Sequence, residues 1–326
     1  MLDQPKALQD TASLRGRSLL SILDLEPASI ERVVADSIRQ RSAPLDPAAL
    51  AGRSVAMLFE KPSLRTRASF EFGLRRLGAD VVYFDLQAQR IGQRESVMDY
   101  AKNLERWCDA IVARVHGHGV LEQLSLHASI PVVNALSDAE HPCQALADLV
   151  TLRQHLGTLR GKRLAFVGAA DNVCHSLMLA AGSVGMIMTV ITPEADAPDP
   201  ACLEAAHARA SASGGRIRVS YDIDAVRGQH AVYTDTWLPM GSAQGEAESR
   251  LLRCEPYRVD STVMRLAGDG MAGEPLFMHC LPAERGAEVT AEVIDGPSSV
   301  VYDQAENRMH AQNALMRLLL ADDAEV

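Results

Sequence analysis

The chain lacks any run of about five or six basic residues, and its formal charge is −10 over 326 residues. Nothing in it therefore forms the phosphate-tracking stripe that a nucleic acid or an anionic membrane surface would need. It also lacks a C-x-x-C pair. The six cysteines, Cys108, Cys143, Cys174, Cys202, Cys254 and Cys280, stand singly, which fits reduced thiols in a cytoplasmic chain rather than a disulfide framework. No stretch reaches the roughly 18 apolar residues of a membrane span. Met1 to Arg17 mixes charges of both signs without the apolar run of a signal peptide. The expectation is a cytoplasmic protein with no membrane and no nucleic-acid partner, whose anionic small-molecule substrate, if it has one, must be met by a locally basic pocket.

What is present is rhythm. Short β-branched runs alternate with longer helical patterns, the signature of a parallel sheet covered by helices. Candidate strands are Ser54 to Phe59, Asp80 to Phe84, Ala110 to Ala113 and Pro131 to Asn134. A second series comprises Arg163 to Gly168, Ile187 to Ile191, Arg216 to Ser220, Ala231 to Thr234 and Leu276 to His279. The fold class predicted is α/β, with two doubly wound parallel-sheet domains, and the length suits two cores of ordinary size. Pro142 fits the first turn of a helix through Asp148 to His155, so the junction is expected near residues 135 to 145. Gln304 to Leu320 reads as a closing helix, Pro193 to Pro200 as a surface turn and Gly241 to Gly245 as a loop.

Five segments carry candidate chemistry. Phe59-Glu-Lys-Pro-Ser-Leu-Arg-Thr-Arg67 ends a strand and opens a helix. Unpaired backbone N–H groups there, with Ser63, Arg65, Thr66 and Arg67, would surround a phosphate with donors; the same residues also suit a plain helix cap with solvated arginines. His141-Pro-Cys-Gln144 begins a helix, and a His and a Gln three positions apart share one face. His141 can donate to a carbonyl oxygen and Gln144 can accept from an amide NH2, although a lone His at a helix start is more often a cap or a packed residue. Gly168 to Ser176 follows a strand but lacks G-x-G-x-x-G, so a dinucleotide reading is weak. Asp235-Thr-Trp-Leu-Pro-Met-Gly241 and His279-Cys-Leu-Pro282 place a carboxylate and a thiol at strand ends, sites for an ammonium group and a carbonyl cluster or for turn capping and core packing.

Together and in order, these segments resemble the transcarbamylases, ornithine carbamoyltransferases in particular. The resemblance runs through Ser63 to Arg67, Glu95-Ser96 with Asp99, Arg114, His141 to Gln144, Asn172-Val173 with His175-Ser176, Asp235-x-Trp with Met240-Gly241, His279 to Pro282 with Arg285-Gly286, and Asp303 to Arg308. It implies carbamoyl transfer from carbamoyl phosphate to the side-chain amine of an amino acid, without metal or cofactor. A carbamoyl phosphate-binding domain would span 1–140 plus a C-terminal helix, 304–322, that crosses back to it; residues 141–303 would bind the acceptor. Ser63, Leu64, Arg65, Thr66, Arg90, Arg114, His141, Gln144, Cys280, Leu281 and Arg308 would hold carbamoyl phosphate. Asn172, Asp235, Pro239, Met240, Cys280 and Leu281 would hold the acceptor, and Thr66, Arg114, His141, Asp235 and Cys280 would be catalytic. The family assembles as a trimer with active sites at subunit interfaces, so a homotrimer is expected.

Three positions depart from the ornithine pattern. Leu64 replaces a Thr and removes one hydroxyl from the phosphate motif, worth about 1.5–3 kcal/mol if it bonded a charged group. Arg90 stands where Gln or His is usual, in a loop expected to reach the neighbouring subunit, and its charge is expected to offset the missing hydroxyl. Pro239 stands where ornithine enzymes read Ser before Met-Gly, and it has no backbone donor. The acceptor is expected to be ornithine, with a related diamine, a modified or N-acylated ornithine, or a non-catalytic ligand-binding relative as alternatives.

Overall fold

Every second residue of Ser54–Phe59 faces a different core. Val55, Met57 and Phe59 join one buried cluster and Ala56 and Leu58 another, which is why this strand is a continuous apolar run: a parallel strand covered on both faces has no polar side to show. The second sheet repeats this, with Leu164 and Phe166 on one face and Ala165 and Val167 on the other. The computed structural model describes residues 13–42, 45–238 and 244–321.

In chain order the first lobe contains α1 (Pro27–Ser42), β1 (Ser54–Phe59), α2 (Leu64–Arg76), β2 (Asp80–Asp85), α3 (Val97–Leu104), β3 (Ala110–Arg114), α4 (His118–His127) and β4 (Val132–Leu136). Then come α5 (Pro142–Leu156), β5 (Arg163–Val167), α6 (Asn172–Ser183), β6 (Ile187–Ile191), α7 (Pro200–Ser213), β7 (Arg216–Ser220), β8 (Ala231–Thr234), α8 (Gln244–Cys254), α9 (Ser261–Ala267), β9 (Leu276–His279), α10 (Ala291–Ile294) and α11 (Val301–Leu320). The strand orders are β2-β1-β3-β4 and β7-β6-β5-β8-β9, and all pairings within the sheets are parallel. The predicted α/β class with two parallel sheets is what the chain adopts.

Three element bounds differ locally from those expected, two of them for evident physical causes. α11 starts at Val301 rather than Gln304, because Val301 is buried in the second core and tertiary packing outweighs its modest helix propensity. The fourth strand runs on to Leu136, since Leu136 continues the ladder opposite Arg114 past a register shift. Gly245 belongs to α8 rather than to a loop; 241–243 lie outside the described residues.

Each sheet reverses its winding once, between β1 and β3 and between β5 and β8. In open α/β sheets a crevice forms at that point beyond the carboxyl ends of the strands, where successive connections leave in opposite directions. The segments there are Glu60 to Ser63, Arg114 to His116, Gly168 to Asn172 and Asp235 to Leu238. α5 begins between the two lobes with Pro142 at its first position, and α11 packs on α1, α2 and α5. The approach of α2 to α11 depends on Gly73, where a Cβ would lie 2.3 Å from Asn313 Oδ1.

Candidate active site

The loops at both crevices face one cavity of about 350 Å³. It is lined from the first lobe by Lys61, Ser63, Leu64, Arg65, Thr66 and Arg114, from α5 by His141 and Gln144, from the second lobe by Asn172, Asp235, Cys280 and Leu281, and from α11 by Arg308. Sequence reasoning had named all of these except Lys61. A larger recess of about 690 Å³ opens elsewhere, beside the residues leading into β9, but none of its lining side chains has a buried polar atom without a partner.

The phosphate motif folds as a helix start. Ser63 caps α2, its Oγ accepting from the Thr66 N–H at 3.2 Å and donating to Thr66 Oγ1 at 3.0 Å. Thr66 Oγ1 also accepts from Arg308 Nη2 at 2.6 Å, so the first turn of α2 and the middle of α11 meet at one hydroxyl. Leu64, beside them, is 80% exposed. Arg308 and Arg114 are almost fully buried, and among the described residues neither guanidinium is paired with a carboxylate. Burial, then the charge of Arg308, lowers Arg114 to about 10; burial also lowers Arg65 and Arg308. Such a cluster is unfavourable alone and complementary to a multiply charged anion.

Beside the arginines, His141 is 3% exposed, and burial, followed by Arg308 and Arg114, holds its pKa well below the ordinary imidazole value. It is neutral and keeps one N–H to donate. Its backbone N–H donates to Ser176 Oγ at 2.8 Å, and that hydroxyl donates to the buried Glu140 carboxylate at 2.8 Å. Gln144 donates through Nε2 to Asp148 Oδ1 at 2.8 Å, while its Oε1 is buried without a partner. Arg114 Nε, His141 Nδ1 and Arg308 Nε are likewise without partners. Other buried polar atoms also lack partners, but these four belong to residues that line one cavity, where a ligand could pair them.

On the other wall, Cys280 Sγ donates to Asp235 Oδ1 at 3.0 Å. Burial, then Asp235, pushes the thiol well above its usual range, and burial raises Asp235 in turn. Leu281 holds a left-handed backbone, φ 58°, a conformation costing a non-glycine residue about 1–3 kcal/mol; its N–H donates to His279 Nδ1 at 2.8 Å. Asp235, His279 and Cys280 place ligand-type atoms within 4.8 Å of one another, but His279 Nε2 already faces Glu288 Oε1 at 3.2 Å, so both its nitrogens are engaged. Trp237 packs over Gly168, where a Cβ would come within 3.0 Å of the indole nitrogen. Asn172 donates to Ser137 O at 2.6 Å.

Arg90 lies outside this lining and is exposed, close enough to Lys61 for its charge to help lower that amine, after burial and Arg114. Pro239 and Met240 lie outside the described residues. Sequence reasoning missed Lys61 and Glu60, although both sit inside the motif it singled out. Glu60 accepts from Ile91 N–H and His116 N–H, each at 2.9 Å, tying together the loops after β1, β2 and β3; no local pattern reports partners so distant in the chain. Asp148 was also missed, yet its i+4 spacing from Gln144 put both on one helix face.

Fold and site together define a two-lobed α/β protein with a cationic cavity between its sheets. Residues 17–154 match the family model for the carbamoyl-P binding domain of aspartate/ornithine carbamoyltransferase, and residues 160–319 match that for its Asp/Orn binding domain. The chain is 49% identical to an ornithine carbamoyltransferase of Shewanella oneidensis over 273 residues, 84% of this chain and 89% of that one. It is 47% identical to one from Methanothermobacter thermautotrophicus over 307 residues, 94% and 99% of the two chains. The solved ornithine carbamoyltransferase from Pyrococcus furiosus superposes with a TM-score of 0.89 at 40% identity, over 95% of this chain and 99% of that one. The chain belongs to the aspartate/ornithine carbamoyltransferase family.

Proposed function

We propose that the protein transfers the carbamoyl group of carbamoyl phosphate to the side-chain amine of L-ornithine, giving citrulline and phosphate. The observation that carries this reading is the convergence of Arg65, Arg114, His141 and Arg308 on one cavity with the Ser63 and Thr66 hydroxyls. Ser63, Arg65, Thr66 and Arg308 hold the phosphate, with the backbone N–H groups at Leu64 and the α2 start. Thr66, Arg114 and His141 meet the carbonyl oxygen; Gln144, Cys280 and Leu281 meet the carbamoyl NH2. Asn172, Asp235 and the 239–240 segment hold the acceptor, its amine beside Asp235 and Cys280. Arg90 supplements the phosphate contacts from a neighbouring subunit.

The chemistry is electrostatic. A neutral amine attacks the carbonyl carbon, charge gathers on oxygen, and prearranged donors stabilise it; each such donor is worth about 10² to 10³ in rate. A neutral His141 donates a hydrogen bond without losing a proton; as the C–O bond breaks, phosphate leaves already surrounded by cations and takes up the proton that the attacking nitrogen sheds. On this reading 1–140 with 304–322 binds carbamoyl phosphate and 141–303 binds the acceptor. The setting is arginine biosynthesis in the cytoplasm; among the described residues no helix is long and apolar enough to cross a membrane. The assembly is a homotrimer, supported by exposed apolar side chains on edge strand β2, Val82 and Phe84, and on one face of α2, Leu64 and Phe72.

The test is a ureido-product assay with phosphate release, run with carbamoyl phosphate and ornithine, N-acetylornithine, N-succinylornithine, lysine, putrescine or 2,3-diaminopropionate. Ornithine is expected to lead in kcat/KM by about tenfold or more. A higher value with an N-acylated ornithine, or binding with no phosphate release for any amine, overturns it.

A further inference from the structure

Two glutamine amides from different helices end on one buried oxygen. Asp148 is 0% exposed, and its Oδ1 accepts from Gln144 Nε2 at 2.8 Å and from Gln304 Nε2 at 2.7 Å. Gln304 Oε1 in turn accepts from the His279 N–H at 2.9 Å, the residue before Cys280. A primary amide is nearly symmetric in shape but opposite in chemistry at its two ends. Left to itself, Gln144 could present either NH2 or oxygen to whatever lies in the cavity. With one N–H held on a carboxyl oxygen, the amide is turned so that Oε1 is its opposite end, and among the described residues that atom has no protein partner.

We propose that Asp148 is a positioning residue that locks the Gln144 amide with its oxygen available to the substrate's NH2, and thereby makes the site discriminate a carbamoyl from an acyl group of the same shape. This rests on the functional reading above and deepens it. Acetyl phosphate carries a methyl where carbamoyl phosphate carries NH2, so it keeps the phosphate and carbonyl contacts and cannot donate to Gln144. The same carboxylate, through Gln304, steadies the end of β9 against α11. It touches no reacting atom.

The experiment measures Kd for carbamoyl phosphate and acetyl phosphate on the full-length protein and three variants. In Asp148→Leu, Gln144 loses its acceptor and its orientation, and the carbamoyl-to-acetyl affinity ratio is expected to fall about tenfold, the worth of one well-made hydrogen bond, with acetyl phosphate nearly unchanged. Asp148→Asn retains a carbonyl oxygen for both glutamines and should restore the ratio. Asp148→Ala carries the leucine expectation and stands in should that variant not fold. A loss equal for both ligands, an unchanged ratio, or failure of the leucine and alanine variants alike to fold assigns Asp148 to the core and overturns the proposal. A wild-type protein that does not bind carbamoyl phosphate sinks the functional reading instead.

Discussion

Replacing Arg308 with methionine should make the free protein more stable and the enzyme worthless. Burial, then the charge of Arg308, holds Arg114 at about 10; at about 1.4 kcal/mol per pH unit this costs the folded chain about 3 kcal/mol at neutral pH. Because burial is the larger cause, removing Arg308 returns about 1 kcal/mol of it. The burial cost of Arg308 itself is also removed, while its bond to Thr66 Oγ1, worth about 1 kcal/mol, is lost. Replacing a buried charge with a hydrophobic side chain of similar length commonly gains about 1–4 kcal/mol. The net expectation is about 1–2 kcal/mol, or about 2–4 °C in melting temperature for each kcal/mol. Inorganic phosphate should show the converse. At about 100 times its Kd it stabilises the wild type by about 2.7 kcal/mol, and that increment should fall below about 1 kcal/mol in the variant, whose phosphate contact is worth about 1.5–3 kcal/mol. Paired thermal melts with and without phosphate read both quantities. If Arg308→Met melts below the wild type without phosphate, or phosphate raises both proteins equally, the picture of a strained cation cluster awaiting an anion is wrong.

Two other expectations follow from the same geometry. His141 is kept neutral by burial, Arg308 and Arg114, so it adds no acidic limb to the pH profile, and kcat/KM for the amine should rise from pH 6 toward alkaline pH as the ammonium, pKa about 10.4, deprotonates; a flat profile with chemistry shown to be rate-limiting contradicts this. For stability the sign is set by a depressed pKa: below about pH 6.5 the unfolded chain binds a proton that the folded one refuses. The His141 contribution is therefore complete above that pH and lost as pH falls, by about 1.4 kcal/mol per unit, which denaturant titrations of wild type and His141→Asn compare. Ser63→Ala removes a helix cap, costing about 1 kcal/mol, and a phosphate ligand, weakening phosphate binding about tenfold or more; calorimetry that finds the first without the second makes Ser63 a cap and nothing else.

Much of this was legible residue by residue. Ile187–Ile191, Ala231–Thr234 and Leu276–His279 begin and end where the apolar runs do, because strands covered on both faces must be largely apolar and are bounded by the first residues that cannot be; the edge strand Arg216–Ser220 alternates instead, with Arg216 and Arg218 exposed. Pro142 marks the start of α5 for the same reason that it is tolerated there, a missing N–H that no helix would have used. At Val301 burial in the second core overrode weak local preference; nothing in the structure explains why the helix takes in the exposed Gly245. Glu60 escaped because its partners, Ile91 and His116, lie far away in the chain, whereas the i+4 spacing of Asp148 from Gln144 was there to be read.

The sequence by itself determined the two sheets, the helix starts and the kinds of side chain available at each strand end, since these follow from periodicity and from the chemistry of single residues. Only the tertiary structure decided that Arg65, Arg114, His141 and Arg308 share one cavity, that His141 is neutral there, and that the Gln144 amide is turned with its NH2 toward Asp148. Charge, desolvation and hydrogen-bond direction depend on distances between residues up to 245 positions apart in Ser63 and Arg308, and those distances exist only once α11 has folded back across both sheets.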